Sequence, residues 1–142
     1  MSQRREFTVI GNPVPKARPR VTKYGHAYTP KKTVDYEKLV RESYISKYGD
    51  LQFEKGVMLD LRVIAYFEIP KSKSKKEKKL MEQHILRPTK KPDGDNVLKA
   101  IEDAISGIAY YDDAQIVDCQ IRKYYSYEPR VVVVIQEVET KI

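Results

Sequence analysis

The residues best suited to chemistry lie between positions 91 and 99, in the segment KPDGDNVLK, which places Asp93 and Asp95 beside Asn96. The whole chain carries a formal net charge of +7, yet positions 91–118 hold seven acidic residues against two lysines. Clustered carboxylates repel one another unless a cation neutralises them. Mg²⁺ is a hard ion that one or two carboxylates commonly hold together with a substrate phosphate. The pattern therefore indicates a divalent-metal site for phosphodiester chemistry.

A second acidic pair, Asp112 and Asp113, follows the helix predicted over residues 96–106. The short link over residues 108–111 leaves this pair only a few residues after the helix. The metal hypothesis assumes that the pair also lies close to Asp93 and Asp95 in the fold. Each pair also has a structural explanation, because Asp caps helix N-termini and is common in turns. Spacing alone does not decide between Asp112 and Asp113 as the third ligand.

Lys99 follows Asp95 by four residues and shares its helical face. The structural interpretation is an ordinary ion pair between residues i and i+4. The functional interpretation directs the Lys99 ammonium at the scissile phosphate or at the attacking water. Both interpretations stay open at the level of the sequence.

The elements that must position these residues follow from hydrophobic periodicity and from breakers. Four strands are predicted over residues 6–10, 57–69, 116–125 and 131–135. Helices are predicted from Thr33 to a stop at Gly49, over the lysine-rich residues 72–83 and over residues 96–106. The order predicts a single α/β or α+β domain over residues 1–142, with a mixed sheet of about four strands and two to three helices.

Two finer expectations concern the last two strands. We expect them to form a hairpin through the turn at residues 126–130. Cys119 is the only cysteine of the chain, and it lies in the alternating pattern of residues 116–125. Free cysteine usually behaves as a small buried hydrophobe, so we predict that it fills the core.

The distribution of basic residues predicts an anionic partner, since 15 of the 27 Lys and Arg residues lie in segments 14–32 and 71–91. A carboxylate cluster flanked by such segments suits cleavage of a nucleic acid backbone. No apolar run approaches the roughly 18 residues of a membrane helix, and residues 1–5 lead into a strand rather than a signal-peptide core. We therefore expect a cytoplasmic protein.

The motifs together resemble the RusA family of endodeoxyribonucleases, which phages and prophages often encode, and in particular its Gram-positive-type members. The resemblance is carried by KPDGDNVLK at 91–99, by Asp103 with Gly107, by YDDAQIV at 111–117 and by GNPVPKARPR at 11–20. The chain differs from the shorter members in its lysine-rich residues 71–90 and in its N-terminal loop.

This resemblance implies an intertwined homodimer that resolves Holliday junctions in DNA recombination and repair by paired symmetric nicks. It implies Mg²⁺, or Mn²⁺ as a substitute, held by Asp93, Asp95 and Asp113, with Lys99 as the fourth catalytic residue. Asp103 matches a recurrent acid of structural role. Four-way or other branched DNA is the expected partner, and no organic cofactor or membrane is expected. The expected DNA contacts are Lys16, Arg18, Arg20, Lys90 and Lys91.

Two alternatives compete with this reading. The first is a non-catalytic basic DNA-binding protein whose aspartates only cap a helix and shape a turn, without a metal requirement. The second is a branched-DNA nuclease that acts on forks or flaps, with the same chemistry on a different substrate.

Overall fold

The first strand begins where apolar and polar residues start to alternate. In the computed structural model, which describes residues 3–140, β1 (Arg4–Ile10) buries Phe7 and Val9, while Arg4, Thr8 and Ile10 are exposed. Arg5 points to the buried side as well, where its guanidinium lies 4.1 Å from the centroid of the Phe53 ring. Cation–π contact of this kind stabilises a partly desolvated guanidinium beside the core.

The basic loop after β1 contains a small ribbon that the sequence did not predict. Its strands are β2 (Arg20–Val21) and β3 (Ala27–Tyr28), which pair antiparallel. Every residue from 20 to 29 is exposed, including Tyr24 at 76%. The ribbon therefore projects from the domain.

The first helix, α1 (Lys31–Tyr48), begins earlier than predicted. Pro30 occupies the position before it, while Thr33 is buried inside the first turn and does not cap the helix. The predicted stop is confirmed, since Gly49 has a φ of +62°, which glycine adopts without the steric cost of a Cβ.

The remaining elements are β4 (Leu59–Glu68), α2 (Lys75–Glu82), α3 (Gly94–Ile105), a 3₁₀ helix (Asp113–Gln115), β5 (Ile116–Ser126) and β6 (Arg130–Glu137). The main sheet has the strand order β1-β6-β4-β5, with β4 and β5 parallel and the other pairs antiparallel. The predicted fold class, a mixed four-stranded sheet with three helices, is confirmed. The predicted hairpin is wrong, because β6 inserts between β1 and β4 instead of pairing with β5.

The core lies between one face of the sheet and the helices α1 and α3. Alternate residues of β4 point into it, and the valines of β6 continue the layer. The central position predicted for β6 follows from its unbroken apolar run. The largest buried side chains of this layer include Tyr44, Tyr110, Phe53, Leu61, Ile101 and Ile135.

Strand β5 forms an edge of the sheet, and its residues 117–120 are all exposed, so the prediction of Cys119 as a core residue is wrong. The start of α3 packs closely on β5 at Ile121, where a Cβ on Gly94 would come within 3.3 Å of the Ile121 Cγ2 atom. Nearer the start of β5, Val117 is 52% exposed.

Across residues 3–140, no helix is both long enough and apolar enough to cross a lipid bilayer.

Candidate active site

Helix α3 positions most of the predicted site. Its buried side consists of Val97, Ala100, Ile101, Ala104 and Ile105. The polar side carries Asp95, Lys99, Glu102 and Asp103, which recur at spacings of three and four residues and so lie along one stripe. The burial of the apolar side fixes the direction in which this charged stripe faces.

Asp93 occupies the N-cap position of α3, yet its side chain makes no capping hydrogen bond. An Asp at this position ordinarily accepts a hydrogen bond from an amide of the first turn. Asp95, in that first turn, is exposed like Asp93. The positive end of the helix dipole attracts both carboxylates. Because both side chains are exposed, their oxygens are available to another partner.

The second acidic pair divides into two roles. Asp112 caps the 3₁₀ helix, accepting a hydrogen bond from the Ala114 amide at 3.0 Å, while the Gln115 side chain accepts from the Asp112 amide at 3.1 Å. Asp113 takes no part in this cap. One of its carboxylate oxygens accepts a hydrogen bond from the Tyr110 hydroxyl at 2.7 Å.

An ion-pair network joins α3 to the basic loop and to α1. The Lys99 Nζ lies 2.9 Å from Asp103 Oδ1, so Lys99 pairs with Asp103 and not with Asp95 as the sequence suggested. The other Asp103 oxygen lies 3.2 Å from Lys16 Nζ, which also contacts Glu37 at 2.6 Å. The backbone amide of Lys16 donates to the Asn96 carbonyl at 2.9 Å, which docks the loop on α3.

These contacts shift the pKa values of the network. The hydrogen bond to Asp103 raises the pKa of Lys99, and the nearby charge of Asp113 adds to that effect. Burial disfavours the charge of Lys16, but its hydrogen bonds to Glu37 and Asp103 outweigh burial and raise its pKa. Both lysines therefore stay protonated well above neutral pH.

Asp113 lies near the C-terminal half of the α3 stripe. Burial raises the pKa of Glu102, and the negative charge of Asp113 raises it further. The hydroxyl of Tyr110 also donates to the Glu102 carbonyl at 3.4 Å. The start of the helix is about 10 Å away along the axis, at 1.5 Å for each of the seven residues from Asp95 to Glu102. Within the described residues 3–140, no group of three or more His, Cys, Asp or Glu side chains is close enough to hold a metal ion.

Comparison with known proteins gives the family of the chain. The family model for the endodeoxyribonuclease RusA matches residues 11–136. The chain belongs to the RusA endodeoxyribonuclease family. It is also 40% identical, over 138 residues, to the uncharacterized protein YqaN of Bacillus subtilis (strain 168). The aligned region covers 94% of this chain and 96% of that protein. Family membership implies a nuclease that acts on Holliday junctions.

The three aspartates predicted as ligands carry oxygens of the chemical type that Mg²⁺ and Mn²⁺ accept. Asp93, Asp95 and Asp113 supply hard carboxylate oxygens, and Mg²⁺ often uses only one or two carboxylates, completing its shell with water and substrate phosphate. The missing capping bond at Asp93 leaves one such carboxylate uncommitted. The chemical type of these donors suits the divalent metal that the family implies, although within residues 3–140 no three acidic side chains lie close enough together to hold an ion in this structure.

The predicted DNA-contact residues separate into two groups. Arg18, Arg20, Lys90 and Lys91 are exposed and can meet a phosphate backbone. Lys16 is only 24% exposed at its side chain, and two acids already neutralise its charge. Its observed role is to join the loop to α3.

Two residues of this site were missed from the sequence. Tyr110 holds Asp113, and its position three residues before the aspartate is a signal that was available. Lys123 on β5 donates from Nζ to the carbonyls of Lys90 at 2.9 Å and Pro92 at 2.8 Å, directly before Asp93. No sequence pattern links Lys123 to that segment, because the contact crosses 31 positions of the chain.

Proposed function

We propose that this RusA-family nuclease is a Mg²⁺-dependent resolvase that cuts Holliday junctions by paired symmetric nicks in recombination and repair. The observation that carries the proposal is Asp93, which occupies a helix N-cap without capping the helix. A purely structural aspartate is expected to make that bond. We also expect the enzyme to work in the cytoplasm, with its DNA substrate.

The proposed metal ligands are Asp93, Asp95 and Asp113. A divalent ion held by them would supply Lewis acidity toward a phosphoryl oxygen and would lower the pKa of a bound water. Tyr110 orients Asp113 for this task through its hydrogen bond. The positive end of the helix dipole at the start of α3 attracts the negative charge of Asp93 and Asp95.

Lys99 is the proposed electrostatic catalyst. Its side chain is 55% exposed although it pairs with Asp103, so its ammonium is accessible to a phosphate. The raised pKa of Lys99 keeps it positively charged at neutral pH. Fixed positive charge next to the scissile phosphate stabilises the extra negative charge of the transition state.

The proposed DNA contacts near the site are Arg18, Arg20, Lys90 and Lys91. The arginines lie at the base of the exposed ribbon, and the lysines directly precede the carboxylates. Lys16 supports these contacts by fixing the loop on α3 and does not itself need to touch DNA.

Paired nicks require two active sites, so we propose that the working form is a homodimer. A Holliday junction is two-fold symmetric, and a two-fold dimer presents two equivalent sites to it. Gel filtration with light scattering is expected to give twice the mass of the 16.6 kDa chain.

The decisive experiment compares conservative substitutions at neighbouring aspartates. Asp93→Asn, Asp95→Asn and Asp113→Asn are each expected to lower the rate of junction cleavage more than about 100-fold while junction affinity is kept, because a metal ligand is lost. Cleavage is measured on a mobile four-way junction with Mg²⁺, and binding is measured by fluorescence anisotropy.

Asp112→Asn is the matched control. Asn caps a helix about as well as Asp, so this variant is expected to keep both its stability and its cleavage. Undiminished cleavage by Asp113→Asn would contradict the proposed site. Preferential cleavage of fork or flap substrates over the junction would assign the same chemistry to a different substrate. Binding without any cleavage by the unmodified chain would favour the non-catalytic alternative.

A further inference from the structure

Helix α2 gathers positive charge on the side that faces away from the protein. Met81 is 4% exposed and anchors the helix on the domain. At 100° per residue, Lys75, Lys76 and Lys79 all lie between about 120° and 220° from Met81, on the outer side. The three lysine side chains are exposed. The segment therefore forms an ordered helix with a basic outer side, which we call the lysine side.

The acids of α2 do not neutralise the lysine side. Glu77 belongs to the N-terminal cap, since its amide donates to Ser74 Oγ at 3.1 Å and its carboxylate lies 4.0 Å from Lys73. Within residues 3–140, none of Lys75, Lys76 and Lys79 lies within 4.0 Å of an acidic oxygen. Like charges three and four residues apart on a helix repel, so an anionic partner would relieve an unfavourable arrangement.

The segment after α2 is fastened to β5. The Arg87 guanidinium lies 4.3 Å from the centroid of the Tyr124 ring, and its Nε donates to the Lys123 carbonyl at 2.9 Å. The His84 ring packs at 4.5 Å from the same tyrosine. These contacts hold α2 against the sheet, although its outer side is charged.

Strand β5 also contacts the residues directly before the proposed catalytic carboxylates. The Lys123 ammonium binds the carbonyls of Lys90 and Pro92, and Asp93 follows immediately. The lysine side thus has a fixed position relative to the start of α3. A DNA backbone bound on α2 would be held at a defined distance from the proposed cleavage site.

We propose that the lysine side of α2 binds the phosphate backbone of a duplex arm of the junction, outside the catalytic site. The inference deepens the proposed function, because it names a second DNA-binding surface of the same nuclease. Lysines act as point charges that recognise phosphate without reading sequence. The surface therefore adds affinity without changing the preferred cleavage sequence.

The test measures the salt dependence of junction binding. Each phosphate contact contributes about −0.9 to the slope of log K against log salt concentration for duplex DNA. The variant K75Q/K76Q/K79Q is expected to bind a fluorescein-labelled four-way junction more weakly and to reduce the steepness of that slope by ~2.7. Binding is measured by anisotropy in EDTA, so the result does not depend on cleavage.

Two further variants make the measurement specific. K38Q/K47Q/K55Q removes the same charge from three other exposed lysines and is expected to leave the slope unchanged. K75R/K76R/K79R keeps the charge and is expected to keep the slope, which separates loss of contact from a folding defect. An equal change of slope in the α2 and control variants would overturn the proposal, as would no change in either.

A result that contradicts DNA binding by α2 can be told apart from a result that contradicts the proposed nuclease function. Cleavage of the junction by the unmodified chain in Mg²⁺ tests the nuclease alone. A chain that cuts the junction but shows the same slope with and without the α2 lysines keeps its function and loses this surface.

Discussion

Asp112 and Asp113 are adjacent in the chain but have different surroundings. Asp112 is committed to the cap of the 3₁₀ helix, while the Asp113 carboxylate meets the hydroxyl of Tyr110. Burial, followed by the hydrogen bond to Asp113, raises the pKa of Tyr110, so this hydroxyl remains a donor at any working pH. The orientation of Asp113 therefore depends on one buried tyrosine.

Tyr110→Phe removes that hydroxyl and keeps the ring. We expect cleavage to fall roughly tenfold because Asp113 loses its positioning bond, and the free energy of unfolding to fall by about 1 kcal/mol. Junction affinity should stay unchanged, since Tyr110 is buried. Single-turnover cleavage, anisotropy and urea unfolding measure the three quantities. A variant that loses stability but cuts at the normal rate would show that Tyr110 is only a core residue.

At the scale of elements, the segment between α2 and α3 depends on β5. Lys123 donates to two backbone carbonyls of this segment, and Arg87 donates back to the Lys123 carbonyl. One hydrogen-bonding side chain from each segment thus connects β5 to the residues that precede Asp93. Displacement of this segment would move Asp93 relative to Lys99, which is anchored within the helix.

Lys123→Met is expected to lower cleavage by roughly ten- to a hundredfold, the range for a displacement of about 1 Å at a catalytic group. Junction binding in EDTA should change little, because the Lys123 ammonium faces protein carbonyls. Lys55→Met removes an exposed charge elsewhere and is the matched control. Equal rates for the two variants would exclude a positioning role for Lys123.

At the scale of the whole molecule, buried tyrosines tie stability to pH. Burial raises the pKa of Tyr36 to about 12 and also raises that of Tyr44. A tyrosine in the unfolded chain ionises near pH 10. The folded-state pKa is the higher one, so this contribution to stability is complete below about pH 10 and is lost as the pH rises through about 12.

Tyr36→Phe removes one of these groups. We expect the free energy of unfolding of the unmodified protein to fall by ~1.4 kcal/mol more than that of the variant between about pH 8 and pH 11, because one pH unit above the unfolded pKa corresponds to that energy. Urea unfolding at the two pH values measures the difference. Identical losses in the two proteins would show that Tyr36 ionises normally in the fold.

The sequence predicted those parts of the molecule that depend on local patterns. The amphipathic period of α3, the apolar run of β6 and the glycine after α1 are local, and each was confirmed. Strand pairing is not local, so nothing in the sequence indicated that β4 separates β5 from β6. Cys119 was misplaced for the same reason, since it lies on the strand that forms the edge of the sheet.

The candidate site shows the same division. The residue types could be predicted from the chain, whereas the N-cap position of Asp93 and the partner of Lys99 could not. Asp95 and Asp103 are both four residues from Lys99, and Lys16 docks beside Asp103 from a distant loop. The choice of ion pair is therefore tertiary.

The open edge of the sheet gives this protein a practical advantage. Cys119 is the only thiol of the chain and stands accessible on β5. A maleimide dye can be attached to this thiol without introducing a cysteine. The same strand carries Lys123, which donates a hydrogen bond to the carbonyl of Pro92, directly before Asp93. Energy transfer from that dye to a labelled arm of DNA would report on which branch lies along which side of the enzyme.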